Sequence, residues 1–136
     1  MSVVLGYDES PGADRALETA ITVARRLDEP LVLVYGAAPP GRLGEEFRSH
    51  LQALEELGRH AVQHALEVAA ARGVRAEVVV LPVKPVDALL EAAETHDATL
   101  IVVGSYGESP LRGALLGSTP HRLLHLSTRP VLVVPA

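Results

Sequence analysis

The 136-residue sequence contains no cysteine, and aromatic residues make up only 3% of it. The lack of cysteine excludes a disulfide framework, a cysteine-ligated zinc or iron–sulfur centre, and thiol chemistry. No apolar run approaches the roughly 20 residues that a membrane-spanning helix needs. A strand-like run begins already at Val3, which leaves no room for a signal peptide ahead of it. From these absences we expect a cytoplasmic, soluble protein.

Positive charge is also scarce. Seventeen acidic residues against twelve basic ones give a formal net charge of -5. This balance disfavours binding to nucleic acid or to an anionic membrane through net charge. Since domains commonly have about 100 to 200 residues, we expect a single domain over residues 1–136.

The apolar residues fall into two kinds of pattern. Five short runs rich in valine, isoleucine or leucine predict β-strands at 3–5, 31–35, 78–81, 100–103 and 131–134. None alternates with polar residues, which is typical of strands covered on both faces. A 3.6-residue period predicts helices at 10–27, 45–72, 85–95 and from 119 to just before Arg129. This alternation predicts an α/β fold, a doubly wound parallel sheet with helices on both faces.

Local signals mark the helix ends and their buried sides. Ser10 is the expected N-cap of the first helix, because its hydroxyl can accept from a free N–H of the first turn. Gly73 stands where a left-handed C-terminal residue is favoured. The helical period places Leu57 on the inward side of the second helix. The same period leads us to expect that the fourth helix buries Leu123 and Leu124.

Doubly wound sheets bind ligands beyond the carboxyl ends of their strands, where the strand order reverses. In the commonest five-stranded windings the first and fourth strands meet there, so segments 7–10 and 104–120 face each other. Four glycines lie within 104–117. Residues 117–119 place backbone N–H groups and two hydroxyls at the start of a helix, which predicts an anion site. An ordinary strand-to-helix connector is the alternative interpretation. Segment 36–44 is either a turn-rich connector or a flap over the ligand.

Part of this loop follows a spaced pattern, Gly104-x2-Gly107-x9-Gly117-Ser118. Together with the run Arg-Pro-Val-Leu-Val-Val at 129–134 and the opening segment 3–10, it resembles the universal stress protein family over the whole chain. The resemblance implies an open five-stranded parallel sheet of the adenine nucleotide alpha hydrolase type, with strand order 3-2-1-4-5. It also implies a dimer, and the glycine pattern marks the family members that bind ATP.

The resemblance further implies nine residues that contact an adenine nucleotide: Tyr7, Asp8, Gly36, Gly104, Tyr106, Gly107, Gly117, Ser118 and Thr119. Asp8 and the backbone of Tyr7 would lie beside the adenine and ribose, and Gly36 would line the adenine pocket. Residues 117–119 would hold the phosphates. The expected ligand is ATP, with AMP or ADP as alternatives, and Asp8 is a possible contact for an accompanying Mg²⁺.

Enzymatic chemistry is not expected. No Walker-type lysine is present and no candidate base can be placed, so we predict no catalytic residue and slow or absent hydrolysis. Histidine pairs at 60 and 64 and at 121 and 125 have the i, i+4 spacing that can bind a transition metal. Because neither pair belongs to a His-Glu-x-x-His motif, solvated helix faces are the favoured interpretation and no metal site is predicted.

The last strand suggests a partner. In the implied order it is an edge strand, and it carries no lysine that would protect the edge. Its residues are Val131, Leu132, Val133 and Val134. An exposed apolar edge invites pairing with another chain, so we expect a homodimer through this strand.

We therefore predict a dimeric, adenine-nucleotide-binding stress-response sensor or regulator, with no nucleic acid or membrane partner. A family member that binds no nucleotide and works as a protein-interaction module is the first alternative. It is favoured by Tyr106 and Glu108, which place a neutral phenol and a carboxylate beside the expected phosphates where relatives often have basic residues. It is also favoured by Pro120, which stands where relatives commonly have a hydroxyl. A slow nucleotide hydrolase is the second alternative.

Overall fold

The computed structural model describes residues 1–38, 45–105 and 116–135, with the side chains of 45–47 excepted. Within these ranges strands and helices alternate in chain order: β1 (Ser2–Gly6), α1 (Pro11–Leu27), β2 (Leu31–Gly36), α2 (Glu45–Ala71), β3 (Ala76–Leu81), α3 (Pro85–Thr95), β4 (Ala98–Gly104), α4 (Ser118–Leu126) and β5 (Val131–Val134). None of these helices is both long and apolar enough to cross a membrane.

The strands form one parallel sheet in the order β3-β2-β1-β4-β5. Val4 at the centre of β1 pairs with Val32 on one side and with Ile101 on the other. The chain winds outward from β1 in one direction and then crosses to β4 and winds in the other. The sequence-based fold class and strand order are confirmed, and the reversal point lies between β1 and β4.

Helices cover both faces of the sheet, α1 and α2 on one face and α3 and α4 on the other. Successive strand residues point to opposite faces, so each of them meets one of these two helix layers. The cluster beneath α1 and α2 contains fully buried apolar side chains: Val3, Leu5, Leu17, Ile21, Leu31, Leu33 and Val62. The cluster beneath α3 and α4 has the same character: Val4, Val32, Val34, Leu89, Ile101 and Leu123. These two layers explain why the strands read as continuous apolar runs.

Two predicted helix ends are confirmed. The Ser10 Oγ accepts a hydrogen bond from the N–H of Ala13 at 3.1 Å and caps α1. Gly73 follows α2 with a φ of 73°, in the left-handed region where a side chain would be strained.

Two apolar side chains are not where the helical period placed them. Leu124 is 54% exposed and Leu57 is 60% exposed. In α4 the buried side centres on Leu123, and the next residue is turned by about 100°. Helix α2 packs on the sheet at Gly58, the residue after Leu57, where an added Cβ would lie 2.8 Å from a methyl of Val80. The predicted inward positions of Leu57 and Leu124 are therefore wrong.

Candidate functional site

A cleft of about 440 Å³ opens at the carboxyl edge of the sheet, at the reversal point between β1 and β4. Its described lining comes from the ends of three strands, the starts of three helices and the residues that join them: Gly6, Tyr7, Asp8, Ser10, Ala13, Val34, Tyr35, Gly36, Ala37, Pro85, Leu89, Val103, Gly104, Gly117, Ser118, Thr119 and Pro120. The volume lies within the range of sites that bind small molecules and cofactors. The cleft lies where the winding of the sheet directs a ligand.

The floor of the cleft is apolar. Val34 and Val103 are the last buried residues of β2 and β4, and Leu89 rises from α3 between them. All three are at most 4% exposed. A flat apolar ring can therefore be buried here without leaving a polar group unpaired.

Asp8 stands on one side of the opening, in the turn that joins β1 to α1. Its Oδ1 accepts a hydrogen bond from the N–H of Ser10 at 3.0 Å, which fixes the orientation of the carboxylate. Glu9 between them has a φ of 63°, the left-handed conformation that non-glycine residues adopt rarely. Backbone in this region is often found at binding sites, where the surrounding structure holds it in place.

Tyr7 forms the wall next to Asp8. Its hydroxyl donates to the Oδ1 of Asp14 at 2.6 Å, and the side chain is 3% exposed. Burial and this hydrogen bond, with nearby carboxylates, raise the pKa of Tyr7 well above its ordinary value of 10.0. The phenol therefore stays protonated and committed to Asp14. Because the Tyr7 N–H donates to the carbonyl of Val34, its ring and its carbonyl are what remain to face a ligand.

The start of α4 also lines the cleft. The N–H of Gly117 is committed, since it donates to the Ser105 carbonyl at 2.6 Å. Pro120 has no N–H to offer. In the described part of the chain no acceptor is found for the N–H groups of Ser118 and Thr119, which open α4 beside the cleft. Two N–H groups, two hydroxyls and the positive end of the helix dipole are thus together at this place, and such a set of groups is able to bind an anion.

Gly36 has a second role that the sequence did not reveal. A Cβ at this position would lie 2.6 Å from the Cβ of Ala88 and 3.2 Å from the Cα of Pro85. The glycine therefore allows the start of α3 to pack directly on the end of β2. This contact positions α3, which contributes Leu89 to the floor of the cleft.

Seven of the nine predicted contact residues line this cleft: Tyr7, Asp8, Gly36, Gly104, Gly117, Ser118 and Thr119. Tyr106 and Gly107, like Glu108, lie outside the described residues. Sequence reasoning missed the apolar floor of Val34, Leu89 and Val103. The signal was available for the two valines, since Val103 ends the predicted strand 100–103 and Val34 is next to the end of the predicted strand 31–35. Both therefore lie near the edge where a ligand was expected.

The described lining of the cleft offers few ligands for a metal ion. Asp8 supplies the one carboxylate of the described lining, and no group of three or more possible metal ligands occurs among the described residues. A magnesium ion at Asp8 would need most of its oxygen ligands from water and from a bound nucleotide, which is a common arrangement for this ion.

Comparison with known proteins identifies the family. The universal stress protein family model matches residues 1–135. A universal stress protein of Thermus aquaticus is 33% identical over 135 residues, which cover 98% of this chain and 97% of that one.

Among solved structures, a universal stress protein in complex with cAMP is similar at 29% identity and a TM-score of 0.69, covering 98% of this chain and 96% of that one. A universal stress protein from Archaeoglobus fulgidus in complex with dAMP has a TM-score of 0.72 at 23% identity, covering 98% and 97%. Because this second structure is only 23% identical in sequence, its similarity shows a shared fold and nothing more. Together, the family model, the Thermus relative and the shared fold show that this chain belongs to the universal stress protein family.

Proposed function

We propose that this protein binds an adenine nucleotide in the cleft between β1 and β4 and acts as a dimeric stress-response sensor or regulator in the cytoplasm. One observation carries the proposal: an apolar floor, the Asp8 carboxylate and the start of α4 line the same cleft. Within the described ranges, two N–H groups at that helix start have no acceptor. Supporting it, a structure 29% identical in sequence is a complex with cAMP.

Each part of an adenine nucleotide has a matching surface in the cleft. The base would lie on the apolar floor, where its faces are desolvated at little cost. Asp8 has a second carboxylate oxygen that can accept from a ribose hydroxyl or a base amine. The phosphate would approach Ser118 and Thr119, since phosphates bind well at helix N-termini.

The described phosphate-binding groups are few, and all of them are uncharged. With Gly117 and Pro120 unable to donate, two N–H groups and two hydroxyls remain. This donor set can hold a single phosphate group. ATP, ADP and AMP all satisfy it, and further phosphates of ATP would depend on Mg²⁺ or on residues beyond the described ranges.

We also propose that hydrolysis is slow or absent. The Tyr7 phenol is unsuited to act as a base, because it is protonated and donates to Asp14. Phosphoryl transfer needs positioned cations and a group that orients the attacking water. The described lining offers Asp8 alone among charged side chains. A binding protein that responds to nucleotide level fits this set better than a hydrolase.

Thermal unfolding with ATP, AMP and cAMP tests the binding proposal. A ligand at about 100 times its Kd adds roughly 2.7 kcal/mol to the free energy of unfolding. We expect a rise in Tm with adenine nucleotides, and a smaller rise in Thr119→Val, which loses one hydroxyl at the cleft without losing volume. Thr95→Val is the matched control, because Thr95 is exposed at the far end of α3.

The outcomes separate the candidate functions. An equal loss in both threonine variants would place the ligand elsewhere. No shift at millimolar nucleotide would favour the interaction module instead. Release of many product molecules per minute from ATP would favour the slow hydrolase.

A further inference from the structure

The outer face of α4 carries two histidines that the cleft does not use. His121 and His125 are one helical turn apart, and their ring centroids are 4.9 Å from each other at an interplanar angle of 72°. Side chains with this i, i+4 spacing share one side of a helix. The sequence alone favoured two independently solvated rings, whereas the structure places the rings side by side.

Both imidazoles are accessible to a solvated ion. The buried side of α4 is formed by Pro120 and Leu123, and both histidines lie exposed on the side turned away from them. In the described part of the chain neither ring takes part in a hydrogen bond or an ion pair. Within those ranges, a metal ion would therefore have no hydrogen bond or ion pair of these rings to break.

The chemistry of the pair selects a class of ion. Imidazole nitrogen is a good ligand for Zn²⁺, Cu²⁺ and Ni²⁺, whereas Mg²⁺ and Ca²⁺ require oxygen ligands. No residue of α4 is acidic, so the helix itself offers no carboxylate to a hard cation. Two histidines at i and i+4 on a helix are also the zinc ligands of the His-Glu-x-x-His motif.

We propose that His121 and His125 together chelate one divalent transition-metal ion on the outer face of α4. A tetrahedral zinc ion with bonds of about 2.0 to 2.1 Å holds two ligand nitrogens about 3.3 Å apart. The rings are 4.9 Å apart between centroids, so side-chain rotation is needed to reach this arrangement. The His-Glu-x-x-His motif achieves it at the same spacing on a helix. No third possible ligand lies close to the pair among the described residues, so water completes the coordination.

The chain contains a matched control pair. His60 and His64 have the same spacing and are also exposed, on α2. Within the described ranges the aromatic contact is between His121 and His125, and none is found between the α2 rings. If spacing alone sufficed, both pairs would bind zinc equally. If the adjacency of the rings matters, binding depends on the α4 pair.

Calorimetric titration of chelator-treated protein with ZnCl₂ tests the proposal, with His125→Ala compared with His64→Ala. We expect one Zn²⁺ per chain, and a fall of at least about tenfold in affinity in His125→Ala, since even outer partners of a metal ligand contribute 10- to 100-fold. His64→Ala should bind as the unchanged protein does. MgCl₂ at the same concentration should give no binding heat in this site.

Three results would overturn the proposal: no zinc binding at millimolar concentration, an equal or larger loss in His64→Ala, or Mg²⁺ binding that His125→Ala removes. Both positions are exposed, so circular dichroism should show that each variant keeps its helix content. A variant that unfolded would be replaced by His121→Asn, which removes the same chelate. The test needs no nucleotide, so its outcome is independent of the proposed function.

Discussion

Tyr7 shows how one side chain can serve both the core and the cleft. Its ring is buried against α1 and lines the cleft, and its hydroxyl is held by Asp14 in the first turn of that helix. The hydrogen bond joins the end of β1 to α1 across the turn that contains Asp8. Tyr7 therefore positions the turn from which the proposed nucleotide contact projects.

Replacement of Tyr7 by phenylalanine should lower the free energy of unfolding by about 1 to 2 kcal/mol at pH 7, because the bond to Asp14 is lost. The pKa of Tyr7 is raised in the folded state, so this stabilisation is complete below pH 10 and declines as the pH rises above the ordinary tyrosine value. The difference between the two proteins should thus shrink in strong alkali.

Urea denaturation at pH 7 and in alkali measures this difference. Tyr35→Phe is the control, since Tyr35 is half-buried and no partner for its hydroxyl is found within the described ranges. An equal effect of the two replacements at pH 7, or a difference that grows in alkali, would contradict the assignment.

At the scale of elements, the contact between β2 and α3 sets the shape of the cleft. Gly36 admits Ala88 and Pro85 so closely that α3 begins directly on the sheet. This close packing makes Leu89 of α3 part of the floor of the cleft. An added side chain at Gly36 must push α3 away from the sheet or shift the end of β2.

Gly36→Ala should therefore destabilise the fold by about 1 to 3 kcal/mol, the usual cost of overpacking. Because the clash is with the Cβ of Ala88, the double variant Gly36→Ala with Ala88→Gly should cost less than the sum of the two single replacements. Denaturant unfolding of all four proteins measures this coupling. Additive costs would show that the Cβ–Cβ clash is not the cause.

Sequence patterns predicted the elements well and their contacts less well. The bounds of α3 follow from Pro85 and the helical period, and they agree with the structure. Strands β3 and β4 begin two residues earlier than predicted, at Ala76 and Ala98, because backbone pairing extends beyond the apolar run. Periodicity also misplaced Leu57, since it cannot show that the helix approaches the sheet through a glycine.

The candidate site was predictable to a similar degree. The winding rule placed it at the reversal point, the residue pattern at 117–119 indicated the start of α4, and the family resemblance supplied Asp8. The commitment of the Gly117 N–H to Ser105 and the close approach at Gly36 depend on tertiary distances, which a residue pattern does not contain. The single-domain expectation for 1–136 stays a prediction.

At the scale of the whole molecule, β5 leaves one edge of the sheet without a neighbouring strand among the described residues. Leu132 at its centre is 36% exposed, while Val131, Val133 and Val134 are half-buried. A short apolar edge without charge is open to antiparallel pairing with a second copy. The proposed homodimer would use this edge.

Leu132→Lys should convert the dimer to a monomer, because a lysine on an edge strand opposes pairing. Leu126→Lys is the matched control, since Leu126 is 51% exposed on α4 rather than on the edge strand. Light scattering at tens of micromolar measures the mass. A wild-type monomer, or dissociation in both variants, would argue against pairing through β5.

The position of β1 in the sheet has a consequence for the order of folding. β1 pairs with β4, whose residues lie almost a hundred positions further along the chain. The cleft is lined by Asp8 and by the start of α4, which are further apart still in the sequence. Pairing of such distant segments is the slow part of folding. A chain emerging from the ribosome therefore lacks the cleft until the start of α4 has been synthesised, and the proposed nucleotide would bind only after that point.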